Sequence, residues 1–241
     1  MVGFANSGAA LLVIPTSAFP TESDEVDRKA NSARFLWTFT NCISVFCGVS
    51  VDGFLARPNH ALDFLDAGGQ EPHGFDEFYG SVDVAVIGRK TFEVVLGFGQ
   101  WAYGKKQVVV LSSGPVDFSA VKGGVVEQMS GEPAEIAAQL KARGFKHAYI
   151  DGGITIQRFL AAGVINRLVI TRVPVLIGEG IPLFGPLPHD VSLHHVATRT
   201  YQGGLVQSEY EIHTARRTRG EKNRTVISRK KISAGRKQQS S

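Results

Sequence analysis

Short apolar runs alternate with stretches of helical spacing through the middle of the chain. The runs lie near 42–47 (CISVFC), 83–87 (DVAVI), 107–111 (QVVVL), 124–127 (GVVE), 147–150 (HAYI) and 167–173 (RLVITRV). Their length and β-branched content predict strands. Helical patterns fall between several of them. "EPAEIAAQLKARG" has Pro133 near the first helical position, Ile136, Ala137 and Leu140 on one face, and Gly144 as a stop. "GFDEFYGS", "RKTFEVVLG" and "ITIQRFLAAG" are shorter helix candidates. Such alternation predicts an α/β layer structure with a largely parallel sheet. The last part changes character, because "VSLHHVATRTYQGGLVQSEYEIH" alternates as two strands around Gly203-Gly204. A hairpin there would close the parallel sheet with an antiparallel edge.

Composition places these elements in one domain. The chain has 241 residues, 43% hydrophobic and 20% charged, enough for a sizeable core. Residues 1–40 lack sustained periodicity and include "TESDEVDRKANS", the composition of a loosely ordered extension. Residues 41–213 are the right size for one compact domain. From Thr214 onward there are ten Lys/Arg against one acid, Glu221, and almost no large apolar residue, which predicts a basic disordered tail. Residues 1–213 carry sixteen basic and twenty-one acidic side chains, so the formal net charge of +4 conceals a mildly acidic domain.

Cys42 and Cys47 lie five apart in one strand and face opposite ways, a poor disulfide geometry. With no Cys/His cluster, no metal site is expected, and a reduced cytoplasmic setting is. No apolar run reaches the roughly 18 residues of a membrane span, and no Lys or Arg precedes "AALLVIPTSAF" as a secretory signal requires. The tail would attract nucleic acid only weakly and without specificity, because residues 214–241 contain no aromatic side chain for base stacking.

Candidate chemistry sits where strands hand over to helices. Gly152-Gly153 follows "AYID" and precedes a helix, where unpaired N–H groups and the dipole favour anions. Two readings stay open there, a phosphate cradle and a tight turn needing positive φ. Gly88 ends a second strand, and Arg89, Lys90 and Thr91 then enter a helix, cations set against the dipole unless an anion binds. A third strand ends in Leu111-Ser112-Ser113-Gly114, whose hydroxyls suit a phosphate or a turn. Three such ends converge on the edge where open α/β sheets bind ligands. After the first strand, "GVSVDGFLARPNHALDFLDAGG" is long enough to act as a lid, with Asp52-Gly53 as a turn.

These pieces, in this order, resemble the dihydrofolate reductase-like superfamily, in particular the bacterial branch of the RibD C-terminal type, the reductase domain of riboflavin biosynthesis. The matching segments are "SVDGFLA", "VDVAVIGRKTFE", "VVVLSS", "YIDGGITIQRFLAAGVINRLVITRVPVLIGEGIPLFG" and the closing hairpin. The resemblance implies a three-layer αβα fold with an eight-stranded, mostly parallel sheet, a homodimer, and NADPH bound across the strand ends. By position, Gly88, Arg89, Lys90 and Thr91 would hold phosphates, with Arg89 at the adenosine 2′-phosphate and Ser112 and Ser113 near it after Leu111. Asp151, Gly152, Gly153, Ile154 and Thr155 would meet the pyrophosphate, and Val49, Asp52, Gly53 and Phe54 the nicotinamide side.

Two departures bear on substrate. Riboflavin-pathway reductases usually carry a lysine where this chain has Phe46, and Glu-Gly-Gly where it has Asp151-Gly152-Gly153. Dihydrofolate reductases place a carboxylate on the helix after the first loop, where Asp76 and Glu77 align poorly. The expected activity is therefore hydride transfer from NADPH to an unassigned pteridine- or pyrimidine-like heterocycle. The alternatives are reduction of 5-amino-6-(5-phosphoribosylamino)uracil and non-catalytic nucleotide binding. Asp63 and Asp76 are the candidate proton donors or anchors and Thr171 a candidate hydrogen-bonding hydroxyl, each also readable as a solvated acid or a strand residue. Phe64, Phe75 and Phe78 are candidate pocket walls or core.

Overall fold

The computed structural model describes residues 42–69 and 72–212, so the expected extension 1–40 and the basic tail 214–241 lie outside the described residues. In chain order the strands are β1 (Cys42–Ser50), β2 (Phe54–Ala56), β3 (Val84–Gly88), β4 (Gln107–Leu111), β5 (Val125–Met129), β6 (His147–Asp151), β7 (Arg167–Val173), β8 (Ile181–Pro182), β9 (Leu193–Thr200) and β10 (Val206–Ile212). The helices are α1 (Phe75–Ser81), α2 (Arg89–Leu96), α3 (Pro133–Ala142) and α4 (Gly153–Ala161), with a short 3-10 helix at Asp63–Gly68.

Eight strands form one sheet in the order β5-β4-β3-β6-β1-β7-β10-β9. All pair in parallel except β10, which is antiparallel to both β7 and β9. The strand period of two explains why the apolar runs are continuous. Val45, Cys47, Val84, Val86, Val109 and Ile150 face one helical layer, packing with Ile136 and Leu140 of α3 and Ile156 and Phe159 of α4. Their neighbours Phe46, Ala85, Ile87, Val108, Val110 and Tyr149 face the other layer, against Phe78 of α1 and Phe92 and Val95 of α2. Both faces are covered, giving three layers, helix on sheet on helix.

The ends of the elements follow local chemistry. Glu132 and Glu135 form a reciprocal capping box at the start of α3, with Pro133 at the first turn. Gly144 takes φ +89 just past its end, and its N–H donates to the Lys141 carbonyl at 3.0 Å. In the closing hairpin a Cβ on Gly203 would stand 1.9 Å from the Gly68 carbonyl oxygen, so this turn can lie directly on the 3-10 helix only as glycine.

Two features differ from the sequence reading. The first strand runs on to Ser50, because β7 pairs with it along Ser44–Ser50 and burial continues through Val49. The expected lid is partly ordered: β2 pairs antiparallel with β8 in a separate two-stranded sheet. Pairing across more than 120 residues has no local signature. The two cysteines are free and buried. Among the described residues, no helix is long and apolar enough to cross a membrane, and no group of three or more His, Cys, Asp or Glu could hold a metal ion.

Buried polar groups tie the layers together. Arg167 on β7 and Glu209 on β10 form an ion pair whose side chains are 6% and 4% exposed. At the opposite end of the cavity-bearing strands, His147 Nε2 lies 2.6 Å from Ser44 Oγ and its Nδ1 3.1 Å from both the hydroxyl and the carbonyl oxygen of Ser81, linking β6 to β1 and α1. Burial pushes the His147 pKa below its ordinary 6.5, opposed by the Ser81 carbonyl. A depressed histidine pKa means that the unfolded chain takes up the proton first, so stability is complete above about pH 6.5 and is lost as pH falls. Thermal melts should show Tm dropping between about pH 7 and pH 5, with a shallower slope in His147→Gln. An unchanged slope in that variant would assign the acid sensitivity to another group.

Candidate cofactor-binding site

Parallel pairing brings the carboxyl ends of β4, β3 and β6 side by side, with Gly88 opposite Leu111 and Ile87 opposite Asp151. A cavity of about 370 Å³ opens there. Its lining comes from the β3–α2 turn (Gly88, Arg89, Lys90, Thr91), from Leu111, and from the β6–α4 turn (Asp151 to Thr155). Beside them stand Phe46, Cys47 and Gly48 of β1, then Leu55, Ala56, His60, Leu62 and Leu65 of the following loop. Crevices outside the carboxyl ends of parallel strands are the usual ligand sites of open α/β sheets.

The two glycine turns interlock. Gly152 has φ +92, and a Cβ on it would lie 2.1 Å from Thr91 Oγ1. A Cβ on Gly88 would lie 2.8 Å from Thr155 Oγ1. Each turn thus leaves space for the threonine of the other, and the starts of α2 and α4 approach one another. Gly153 serves a third contact, since a Cβ there would sit 2.8 Å from Ile181 Cγ2 of β8. The paired glycines are therefore a positive-φ turn and a close-approach site at once.

Neither α2 nor α4 has a side-chain N-cap, and neither has an acid in its first turn. Their first N–H groups and positive dipole ends face the cavity. Arg89 and Lys90 pair with Glu93 one turn along, at 3.1 and 3.2 Å, and these two contacts hold the Glu93 carboxyl below the usual carboxylate range. The exposed pairs cost little to break. Arg158 is a third cation on the lining, 3.6 Å from Glu132. The sequence reading stopped at the first turn of this helix and missed it; spacing of four from Ile154 was the available signal.

Asp151 lies at the floor, 9% exposed. Its carboxylate accepts hydrogen bonds from the Tyr103 hydroxyl at 3.0 Å and the Gly152 N–H at 2.7 Å, while burial drives its pKa up. Tyr149 donates to the Phe46 carbonyl at 3.1 Å. Ile154 is 67% exposed and lines the cavity mouth with its apolar side chain.

Other expected residues fall outside the lining. Val49 is core. Asp52 accepts the Ile177 and Gly178 N–H groups at 3.3 and 2.8 Å; Ser50, then these amides, lower its pKa. With Gly53 at φ +88 it builds the turn into β2. Phe54 is half-buried on β2. Ser112 donates to the Gly114 carbonyl at 2.7 Å, closing its own turn, and Ser113 is exposed beside it.

None of the three proposed catalytic groups lines the cavity. Asp63 is held in a two-pronged contact with Arg57, at 2.7 and 3.0 Å, which lowers its pKa. Asp76 is exposed in the first turn of α1. Thr171 is fully buried on β7 and accepts from Gln207 Nε2 at 3.0 Å. Phe64, Phe75 and Phe78 pack in core clusters, and the Phe and Tyr rings on the cavity are Phe46, Phe98 and Tyr149. A helical or strand pattern shows which face is buried, but not whether a cavity or the core lies opposite it.

Sheet order, mixed edge and glycine turns together define a dihydrofolate reductase-like α/β protein. The Enterococcus faecalis dihydrofolate reductase solved with NADP(H) shares this fold, with a TM-score of 0.51 and 19% identity over 73% of this chain and 98% of that one. More narrowly, the chain belongs to the RibD C-terminal domain family, whose profile matches residues 41–207. A putative riboflavin biosynthesis protein from Shewanella sp. PV-4 is 36% identical, covering 71% of this chain and 99% of that structure at a TM-score of 0.67. The uncharacterized protein YwjB of Bacillus subtilis is 30% identical over 169 residues, 69% of this chain and 95% of its own length.

The interlock makes a sharp expectation. Gly152→Ala should lower stability by about 2–4 kcal/mol in denaturant melts, combining positive-φ strain with the Thr91 overlap. Adding Thr91→Ala should recover about half of that loss. Simple additivity of the two changes would mean that the turns do not constrain one another.

Proposed function

We propose that the chain is an NADPH-dependent reductase that passes hydride to a pteridine- or pyrimidine-like small molecule. The observation that carries this reading is the convergence of two uncapped helix N-termini and three cations on one cavity at the strand ends. An uncapped helix start with no acid in its first turn is the arrangement an anion satisfies. The glycine turns let the starts of α2 and α4 come close together, each leaving room for the other's threonine. The residues present therefore fit a phosphate-bearing dinucleotide.

In this reading the α4 N-terminus, from Gly153 to Thr155, receives the pyrophosphate, and Thr91 sets its distance from the α2 N-terminus. Arg89 and Lys90 turn from Glu93 to the ribose phosphate, exchanging weak exposed ion pairs for charge-assisted bonds. Leu111 and Ile154 supply apolar contact. The bound nicotinamide provides the hydride. Residues Leu55 to Leu65 cover the β1 side and exclude water from it. Family membership and the 36%-identical Shewanella protein, described as a putative riboflavin biosynthesis protein, support a reductase acting on a pyrimidine-like ring.

The test is calorimetric titration of the whole chain with NADPH and NADH. Arg89→Ala should weaken NADPH binding by roughly tenfold and NADH binding by about twofold at most. Equal losses for both nucleotides would remove Arg89 from the 2′-phosphate, and absence of binding by either would end the reductase reading. Loss of reduced-nicotinamide absorbance on adding dihydrofolate or a pyrimidine substrate then separates turnover from binding alone.

A further inference from the structure

His60 is the only non-glycine residue at positive φ among the described residues, with φ 68. It closes a small hairpin-like loop, in which the His60 N–H donates to the Arg57 carbonyl and the Arg57 N–H to the Ala61 carbonyl, both at 2.9 Å. Pro58 and Asn59 lie between, and Asn59 Oδ1 accepts the Ala61 N–H at 3.0 Å. This is a β-turn followed by a left-handed residue, a position that glycine fills without strain. The loop is also stapled outside by the two Arg57–Asp63 hydrogen bonds. A strained aromatic side chain thus lines the cavity from a loop whose geometry glycine would serve better.

The charge around it is uneven. All three cations of the lining, Arg89, Lys90 and Arg158, belong to α2 and α4. Apart from the His60 imidazole, the part built by β1 and its loop is lined by small, aliphatic or aromatic residues and Cys47, with no Lys or Arg among them. Asp151 adjoins it from β6 with its carboxylate already engaged by Tyr103 and Gly152. A phosphate placed there would meet aliphatic and aromatic surface, an acid and a single imidazole, without the Lys and Arg side chains of the other half.

We propose that the β1 half of the cavity accepts an uncharged, unphosphorylated planar heterocycle, against Phe46 and the loop leucines, with the His60 imidazole hydrogen-bonding its polar edge. The proposal rests on the reductase reading for the position of the cofactor, and it narrows the substrate to the nucleobase, nucleoside or pterin level. Asp63, through its two-pronged contact with Arg57, helps fix the loop that carries His60.

The experiment uses the full chain saturated with NADP+, titrated with 6-methylpterin, uridine and uridine 5′-phosphate at up to millimolar concentration. At least one neutral compound should bind, and uridine should bind roughly tenfold tighter than its phosphate. His60→Gly should keep the wild-type Tm or exceed it, keep its NADPH-induced thermal shift, and lose roughly fivefold or more in affinity for the neutral ring. His60→Asn, which tolerates the same backbone and retains a donor and an acceptor, should fall between. Equal or tighter binding of the phosphate, unaltered ring affinity in His60→Gly, or no neutral binder in a protein that still binds NADPH would each overturn the proposal. Failure of the wild-type chain to bind NADPH would instead strike the reductase reading.

Discussion

The contact between Thr91 and the bare α-carbon of Gly152 governs the rest of the site. Two helix N-termini repel as like ends of dipoles and carry N–H groups that need partners. Here they are drawn together because each turn lacks a Cβ where the other places a threonine. The parallel register of β3 and β6 presents the turns at the same level, with Ile87 opposite Asp151. Packing of the two apolar layers determines that register, so the anion-seeking groups are brought together by hydrophobic burial on both faces of the sheet.

That convergence leaves an electrostatic debt at one end of the cavity and none at the other. Arg89 and Lys90 lean on Glu93 through exposed pairs, a loose arrangement that a phosphate can replace. Near β1, two polar groups are already engaged: Asp151 by Tyr103 and Gly152, and Tyr149 by the Phe46 carbonyl. In the proposed reading one end takes an anion and the other a ring. The β2–β8 sheet joins them, because Ile181 seats against Gly153 while Leu55 lines the cavity.

The legible parts were those written in local periodicity. β3, α2, β4, α3, β6 and α4 can be read from apolar runs, Pro133 and the glycine stops, and the glycine turns mark strand ends at which the cavity lies. Arg158 lies in the last turn of α4, beyond the strand-end residues that the glycine turns single out, and it reaches the cavity only through the fold. Asp63 and Asp76 were singled out for their acid function, yet one is spent on Arg57 and the other is exposed on α1. Thr171 reads as a candidate hydrogen-bonding hydroxyl, and the fold buries it on β7, where Gln207 of the paired β10 donates to its oxygen.

By itself the sequence determined the alternation of strand and helix, the antiparallel finish, and the residue types at each strand end, because these follow from interactions between residues near in the chain. Only the tertiary structure decided which of them share a cavity. Thr91 and Gly152 are 61 positions apart and Gly153 and Ile181 are 28 apart, and their meeting depends on sheet order and register. His60 shows the same division. Its neighbours make the turn, but that its ring borders the cavity follows from how β1 and its loop pack beside β6.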